Sequence, residues 1–369
     1  MSARPAPREV DAPRLRVVWQ SRWGLPIGYA ITSEEIASHL IDLGVDLAHR
    51  QTPWQREGPV RKLVLREAGK KPAWRDAPQV SYDQADLFDH RHRGYKIGYT
   101  MLEVDGLPAD WVASCNRMDE VWVPSRWGAE TFRNSGVTRP LHVMPLGFDP
   151  TRFSPEGPSR KIEGRFTFLS VFEWGERKAP DVLLKAFVAA FSSRDDVLLI
   201  LRVNNFDAGV DVVREIAALS LPRNGPDVVL LYNQHLDPDG LGALYRSADA
   251  FVLPSRGEGW GIPILEAIAC GVPTIATGWS GQTEFLNESV GFPVRARRLI
   301  PARAKCPYYA GFSWADPDFD HLVERMRWVY ENREDARAVA ARGARTALDS
   351  WTWDAAARRV RSRLQELER

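Results

Sequence analysis

The chain has 369 residues, 44% of them hydrophobic and 26% charged, with a formal net charge of +1. The length leaves room for two sizeable cores, and the balance is that of an ordinary globular protein. A net charge so near zero argues against a nucleic-acid binder working through bulk charge. Three scattered cysteines, Cys115, Cys270 and Cys306, lack metal-ligand spacing. They fit a reducing, cytoplasmic compartment better than a disulfide framework.

In chain order, residues 1–13 are polar and proline-rich with no apolar h-region, so no signal peptide is expected. No apolar run is long enough to span a bilayer, so any membrane contact is expected to be peripheral, at the inner face. Residues 15–19 read as a short buried strand, followed by the glycine-bearing loop 24–28 and a helix with Ile36, Leu40 and Leu43 on one face. A new strand is expected from Val45. Strand, loop, helix and strand in that order open a parallel sheet. Residues 51–93 are less regular and read as loops and short elements. They include Lys70-Lys71 and the cluster of residues 89–93, where His90 and His92 have no partner spacing for zinc. Strands are expected at 96–101, 120–124 and 141–144, with helices at 110–115 and 126–134.

Residues 148–165, rich in Pro, Gly and charge, form the best linker in the chain. After it the alternation restarts. Strands are expected at 166–171, 197–203, 228–232, 250–253 and 274–276, and helices at 179–191, 212–218, 241–247 and 262–270. The pattern gives two consecutive Rossmann-like β/α/β domains, residues 1–150 and 151–345, each a parallel sheet with helices on both faces. A C-terminal helix occupies residues 346–369. The basic residues Arg295, Arg297, Arg298, Arg303 and Lys305 read as a solvated loop, with an anionic acceptor or a lipid surface as the alternative. The Arg-rich tail from 321 onward reads as solvated helix faces.

The strongest chemical signal is PSRGEGWGIPILEA, residues 254–267. A buried strand ends in a loop with three glycines, which runs into a helix with Pro263 near its first turn, where proline is tolerated. Free N–H groups and the helix N-terminus favour an anion such as a pyrophosphate, and the glycines permit close approach of a ligand. Glu266, one turn into the helix, suits a ribose diol, as in dinucleotide sites. Glu258, in the loop, would face the sugar end. The bland alternative is a glycine-rich β–α turn carrying two solvated carboxylates.

The E-x7-E pair Glu258 and Glu266 resembles the C-terminal signature of the retaining GT-B glycosyltransferases of the GT4 type. The stretches LYRSADAFVLPS, FLSVFEWGERKAPDVLLKAF and DEVWVPSRWGAETFRNSGVTRPLHVMPLGFDPTRFSP are similar to the same family. The resemblance runs from Val17 to the C-terminus and is weak over 51–93. It implies an α/β GT-B fold with an acceptor-binding N-terminal domain, a donor-binding C-terminal domain, and a final helix crossing back toward the first.

It also implies roles. Glu266 binds the ribose, and Glu258 contacts donor-sugar hydroxyls. Gly259, Trp260, Gly261 and Ile262 place backbone N–H groups near the phosphates or sugar, and Gly24 and Gly28 match a flexible loop near them. Arg177 and Lys178 neutralise the diphosphate. Fixed cations stabilise the charge that develops as the glycosidic bond breaks, so neither metal nor cofactor is expected beyond a UDP- or GDP-type nucleotide-sugar donor.

Two departures stand out. Arg177 and Lys178 are adjacent where many relatives separate Arg from Lys. Adjacent side chains on a regular element point apart, which favours Lys178 and leaves Arg177 an ion pair with Glu173 or Glu176. Some relatives carry a histidine after the strand at 96–101, where this chain has Glu103. Glu103 or Asp105 orients or deprotonates the acceptor hydroxyl, or the two cap helices. Asp237-Pro238-Asp239 and Asp316-Pro317-Asp318 mimic D-x-D metal motifs, but both precede helix-like segments and read as caps.

The reaction expected is transfer of a sugar to a sugar, lipid-linked or other hydroxyl acceptor with retention. The alternatives are a GT-B nucleotide-sugar epimerase or phosphorylase, and a non-catalytic nucleotide-sugar-binding protein. The acceptor surface is expected within 51–93. No nucleic acid is expected as a partner, and the sequence does not set an oligomeric state.

Overall fold

A computed structural model describes residues 15–368 except 26, 54–57, 61, 73, 235 and 304–305. The segment read for a leader, Pro26 of the first loop and Lys305 of the basic stretch lie outside the described residues.

The first unit alternates β1 (Arg16–Ser21), α1 (Gly28–Asp42), β2 (Asp46–Gln51), α2 (Leu63–Lys70), β3 (Gln79–Tyr82), β4 (Lys96–Tyr99), α3 (Ala109–Cys115), β5 (Glu120–Val123), α4 (Arg126–Asn134) and β6 (Leu141–Val143). Its strands pair in parallel in the order β2-β1-β3-β4-β5-β6. Val17, Trp19, Ile36, Ala37 and Leu40 are fully covered, as the two periodicities of strand and helix require. The stretch expected to be irregular supplies β3, which lies between β1 and β4. Its sequence, QVSY, hides it, because polar residues alternate with apolar ones while all four are buried. Gln79 and Ser81 are satisfied by Asp89 and Gln20, at 3.0 and 2.9 Å, as buried polar groups must be.

The second unit follows with β7 (Phe166–Glu173), α5 (Pro180–Ala190), β8 (Val197–Asn204), α6 (Val212–Ala218), β9 (Asp227–Tyr232), α7 (Pro238–Ser247), β10 (Ala250–Leu253), α8 (Ile262–Ala269), β11 (Thr274–Thr277) and β12 (Phe292–Val294). Its sheet is parallel, in the order β12-β11-β10-β7-β8-β9. The basic stretch expected to be a loop is instead a strand, β13 (Ala296–Pro301), paired antiparallel with β14 (Ser313–Pro317). The pair and its turn at Pro307–Tyr309 form an arm, which lands on the first unit. Tyr309 and Trp314 are buried in one apolar cluster with Val104, Leu107 and Trp111. Arg297 and Arg298 remain exposed on it, so their charge stays at the surface while the expected loop is corrected to a strand.

The chain ends in α9 (Phe319–Glu331), α10 (Arg333–Ser350) and α11 (Trp353–Glu366). The last of these packs on α1 of the first unit. Phe148 and Thr352 join in a parallel bridge. Gly147 beside it has no room for a side chain, since a Cβ would stand 2.5 Å from the Thr352 backbone.

Candidate functional site

In open parallel sheets the crevice forms where the strand order reverses, beyond the carboxyl ends of the strands. In the second sheet that point lies between β7 and β10. The chain leaving β7 makes a 3-10 turn at Glu176–Lys178, and Ala179 in the left-handed region (φ 51°) lets α5 begin at once with Pro180. The chain leaving β10 runs through residues 254–261 into α8. Arg256 N–H donates to the Arg177 carbonyl at 2.7 Å and ties the two loops together.

Both cations of the turn reach one carboxylate. Lys178 Nζ lies 2.5 Å from Glu258 Oε1, and Arg177 Nη1 lies 3.0 Å from Oε2 while also donating to the Gly257 carbonyl at 2.7 Å. The expectation that adjacent side chains diverge is corrected. A tight turn is not a regular element, and Arg177 pairs with Glu258 rather than with Glu173 or Glu176. The Glu258 and Lys178 side chains are only 6% and 9% exposed. Burial pushes the Glu258 carboxyl up, but the Lys178 and Arg177 charges outweigh it and hold it below the ordinary range. Burial, aided by the neighbouring Arg177 charge, lowers the Lys178 ammonium. Burial acts downward on Arg177 too, and there Glu103 and Glu258 prevail, so its guanidinium is held firmly protonated.

A third loop supports this one. Ser280, after β11, sits at φ 69° and ψ −153°, a region that costs any residue but glycine of order 1–3 kcal/mol. Its Oγ accepts the Glu258 N–H at 2.8 Å and donates to Gln282 at 3.0 Å. The sequence gives no signal for this residue.

The glycines of the loop do something other than expected. A Cβ on Gly257 would stand 2.1 Å from the Glu103 carbonyl oxygen, and one on Gly259 would stand 2.6 Å from the Met101 side chain. They admit the first unit's chain. Gly261 (φ 99°) is the residue before α8, and Ile262 opens that helix. Its first turn leaves N–H groups without intrahelical partners. The Trp260 side chain is core, packed on Phe285 and Trp351 at 5.0 and 5.6 Å. Gly24 (φ 72°) has a local reason for being glycine. Its N–H donates to Glu34 at 2.7 Å, and a Cβ would stand 2.1 Å from the Gly58 carbonyl oxygen. Gly28 is the first residue of α1, and a Cβ there would meet open space.

Glu266 lies on α8, partly buried, and accepts from the Tyr245 hydroxyl at 3.0 Å. Burial lifts its carboxyl to about 8, against the opposing pull of that hydrogen bond and the Arg202 charge. Glu103 and Asp105 separate in role. Glu103 faces the cations, with Oε1 3.9 Å from Arg177 and Oε2 accepting from the Tyr309 hydroxyl at 2.7 Å. Asp105 braces the arm, exchanging backbone and side-chain hydrogen bonds with Ser313. Tyr309, with Arg303 and Cys306 of the same arm, lines a cavity of about 650 Å³ whose other wall includes Trp174, Arg177 and Lys178.

The first sheet reverses order between β1 and β3. There Arg22 and Asp83, at the ends of those strands, form a buried bidentate pair, Nε and Nη2 at 3.0 and 2.8 Å. Burial keeps the Asp83 carboxyl raised in spite of Arg22. Asp83 lies within the stretch expected to face the acceptor. The D-x-D look-alikes are caps: Asp237 accepts from Gly240 N–H and Asp318 from His321 N–H. His90 and His92 bond Ser114 and the Ala77 carbonyl. Among the described residues no group of three or more His, Cys, Asp or Glu is gathered as for a metal, and no helix is long and apolar enough to cross a membrane.

Two parallel Rossmann-like sheets facing across a cleft, closed by a returning C-terminal helix, are the architecture of the GT-B glycosyltransferases. The fold matches the Anabaena protein HepE solved with UDP and glucose (TM-score 0.67, 15% identity, 96% of this chain and 100% of that one). It matches sucrose-phosphate synthase from Thermosynechococcus elongatus comparably (TM-score 0.69, 15% identity, 96% and 99%). Residues 126–360 match the family described as Family 4 Glycosyltransferase in conflict systems, and the chain belongs to that family. Curated relatives include the D-inositol 3-phosphate glycosyltransferase of Actinosynnema mirum, 36% identical over 40% of this chain and 38% of that protein. The enzyme of the same name from Rhodococcus jostii is 30% identical over 69% and 57%. A GDP-mannose-dependent alpha-(1-6)-phosphatidylinositol monomannoside mannosyltransferase of Mycolicibacterium smegmatis is 24% identical over 70% and 65%. The chain therefore spans less than two thirds of the length of these relatives.

Proposed function

We propose that the chain transfers a sugar from a UDP- or GDP-type nucleotide sugar to an acceptor hydroxyl with retention at the anomeric carbon. One observation carries the reading: buried Lys178 and Glu258 and half-buried Arg177 meet where the second sheet reverses its order. As the bond from the anomeric carbon to the β-phosphate oxygen breaks, its electron pair passes to that oxygen; the acceptor oxygen bonds the anomeric carbon on the same face, and the acceptor's proton passes to the leaving phosphate. Two fixed cations there stabilise the leaving group. Donor binding exchanges the carboxylate for phosphate on the cations and frees Glu258 to accept from sugar hydroxyls. Glu266 then meets the ribose diol. Such a site works without a metal or cofactor, because the protein supplies the positive charge itself.

The acceptor is read as a sugar, lipid-linked or other polyol hydroxyl, entering at the first-sheet crevice beside Arg22 and Asp83. The three curated relatives are named for inositol 3-phosphate or phosphatidylinositol monomannoside, chemistry of the same class. The three unpaired cysteines fit a cytoplasmic setting, with any membrane contact peripheral.

The test is a thermal-shift screen of UDP- and GDP-sugars, followed by NMR of slow donor hydrolysis, which reports base, sugar and anomer together. Stabilisation by one donor and release of its nucleoside diphosphate are expected. Lys178→Ala is expected to lower that release by roughly 10²–10³-fold. A donor that turns into its epimer without nucleoside diphosphate release would move the assignment to an epimerase, and no stabilisation by any donor would end it.

A further inference from the structure

The arm contributes a side chain to the donor site that no motif announces. Its turn places Tyr308 and Tyr309 on the first unit, where their hydroxyls donate to Asp86 at 3.0 Å and to Glu103 at 2.7 Å. Tyr309 is 8% exposed and lines the same cavity as Arg177 and Lys178. The Glu103 carboxylate is thus held by one oxygen, while the other stays 3.9 Å from the Arg177 guanidinium. At that distance charge attraction persists but no hydrogen bond forms. Two cations here face two carboxylates, Glu258 and Glu103, and every carboxylate closed on a cation competes with an incoming diphosphate.

We infer that Tyr309 is a positioning residue of the donor site, whose hydroxyl restrains Glu103 and so keeps the Nη2 side of Arg177 open to the diphosphate. The inference rests on the reading of Arg177 and Lys178 as the diphosphate-binding pair. Without the hydroxyl, Glu103 loses its donor and turns to the nearest cation. A guanidinium and a carboxylate then close into a charge-assisted pair, which the nucleotide must displace.

The experiment is calorimetric titration of UDP and GDP into the full chain and into Tyr309→Phe, Glu103→Gln, the double variant and Tyr308→Phe. Tyr309→Phe is expected to weaken binding roughly 2- to 5-fold, the scale of one partly exposed ion pair. Glu103→Gln binds at least as tightly as the parent chain, because a competing charge is gone. The double variant binds like Glu103→Gln, since an uncharged side chain has nothing to be restrained from. Tyr308→Phe, which loosens the arm without touching Glu103, leaves the affinity unchanged. Parent-like binding by Tyr309→Phe overturns the inference. So does a double variant as weak as Tyr309→Phe, or a Tyr308→Phe loss of equal size, each of which reduces Tyr309 to packing. If the parent chain binds neither UDP nor GDP, the donor reading itself falls, and the inference with it.

Discussion

Glu266 offers the sharpest residue-scale test, because its protonation and its proposed role oppose each other. Burial lifts its carboxyl from the ordinary 4.5 to about 8, so near neutral pH the folded chain holds it largely protonated. A ribose diol is best met by the ionised form, which accepts both hydroxyl protons. Affinity for whichever UDP- or GDP-sugar stabilises the chain, whose diphosphate diester does not titrate here, is expected to rise from about pH 6.5 to about pH 9 as the group ionises. Glu266→Gln should abolish that slope while any contribution from Lys178 persists. A slope equal in both proteins would remove Glu266 from the ribose. The linkage sign for folding runs the other way. A raised carboxyl stabilises the fold below its unfolded value and loses that contribution as pH rises through about 8. Ser280 makes a second test. Ser280→Ala keeps the strained backbone and deletes the hydrogen bond to Glu258 N–H, so a loss of about 1–3 kcal/mol is expected in urea unfolding. Much of this site was legible in the chain. The E-x7-E spacing and the adjacent cations are local patterns. Ser280 was not legible, since nothing in its neighbours signals a left-handed serine. The loop glycines were legible only as glycines, because what packs against Gly257 and Gly259 is Met101 and Glu103 of the other unit.

The same distinction governs the elements. Strands rich in β-branched and aromatic residues, such as AFVL at β10, announce themselves. β3 does not, because both its faces are buried and its polar half is satisfied by hydrogen bonds that a linear pattern does not reveal. The arm was missed for a related reason. Its first strand is mostly exposed and carries two arginines, and what makes it structure is the aromatic side of the return, Tyr309 and Trp314. Trp314 is fully buried against the first unit's cluster. Trp314→Ala is expected to cost about 3–5 kcal/mol, seen as a lowered melting temperature. If the arm is anchored there, it should also increase the labelling of Cys306 by a thiol reagent, since Cys115 and Cys270 are buried. Destabilisation with unchanged labelling would mean that the arm is held by its hydrogen bonds instead.

At the scale of the whole molecule, the arm and α11 are two ties from the carboxyl-terminal half to the first unit, and the second is ionic. Glu120 opens β5 with its side chain fully covered, receiving Arg363 of α11 at 2.5 and 3.2 Å and the Trp122 indole at 2.6 Å. Burial pushes this carboxyl up, but the hydrogen bonds from Arg363 and Trp122 prevail and hold it below its ordinary value. Its contribution to folding is therefore present above the unfolded carboxyl range and is lost only as pH falls through the depressed value. Arg363→Met reverses the sign. The carboxylate stays buried without its cation, a change expected to cost about 3–5 kcal/mol near neutral pH. Burial then dominates, the folded carboxyl rises above its unfolded value, and the variant regains stability as acid supplies the missing proton. His142 works in the same direction. Its ring lies 3.5 Å from Glu120, and burial, with Arg363 adding to the effect, holds it below the ordinary histidine value. Removing Arg363 lifts one of those causes, so the ring gains a proton more readily and can stand in for the lost cation. Urea unfolding of the parent and variant at about pH 7.5 and about pH 5.5 separates the cases. The difference in stability is expected to shrink at the lower pH. A difference that stays constant would show that α11 is held by apolar packing on α1, with the ion pair contributing nothing to the union of the two units.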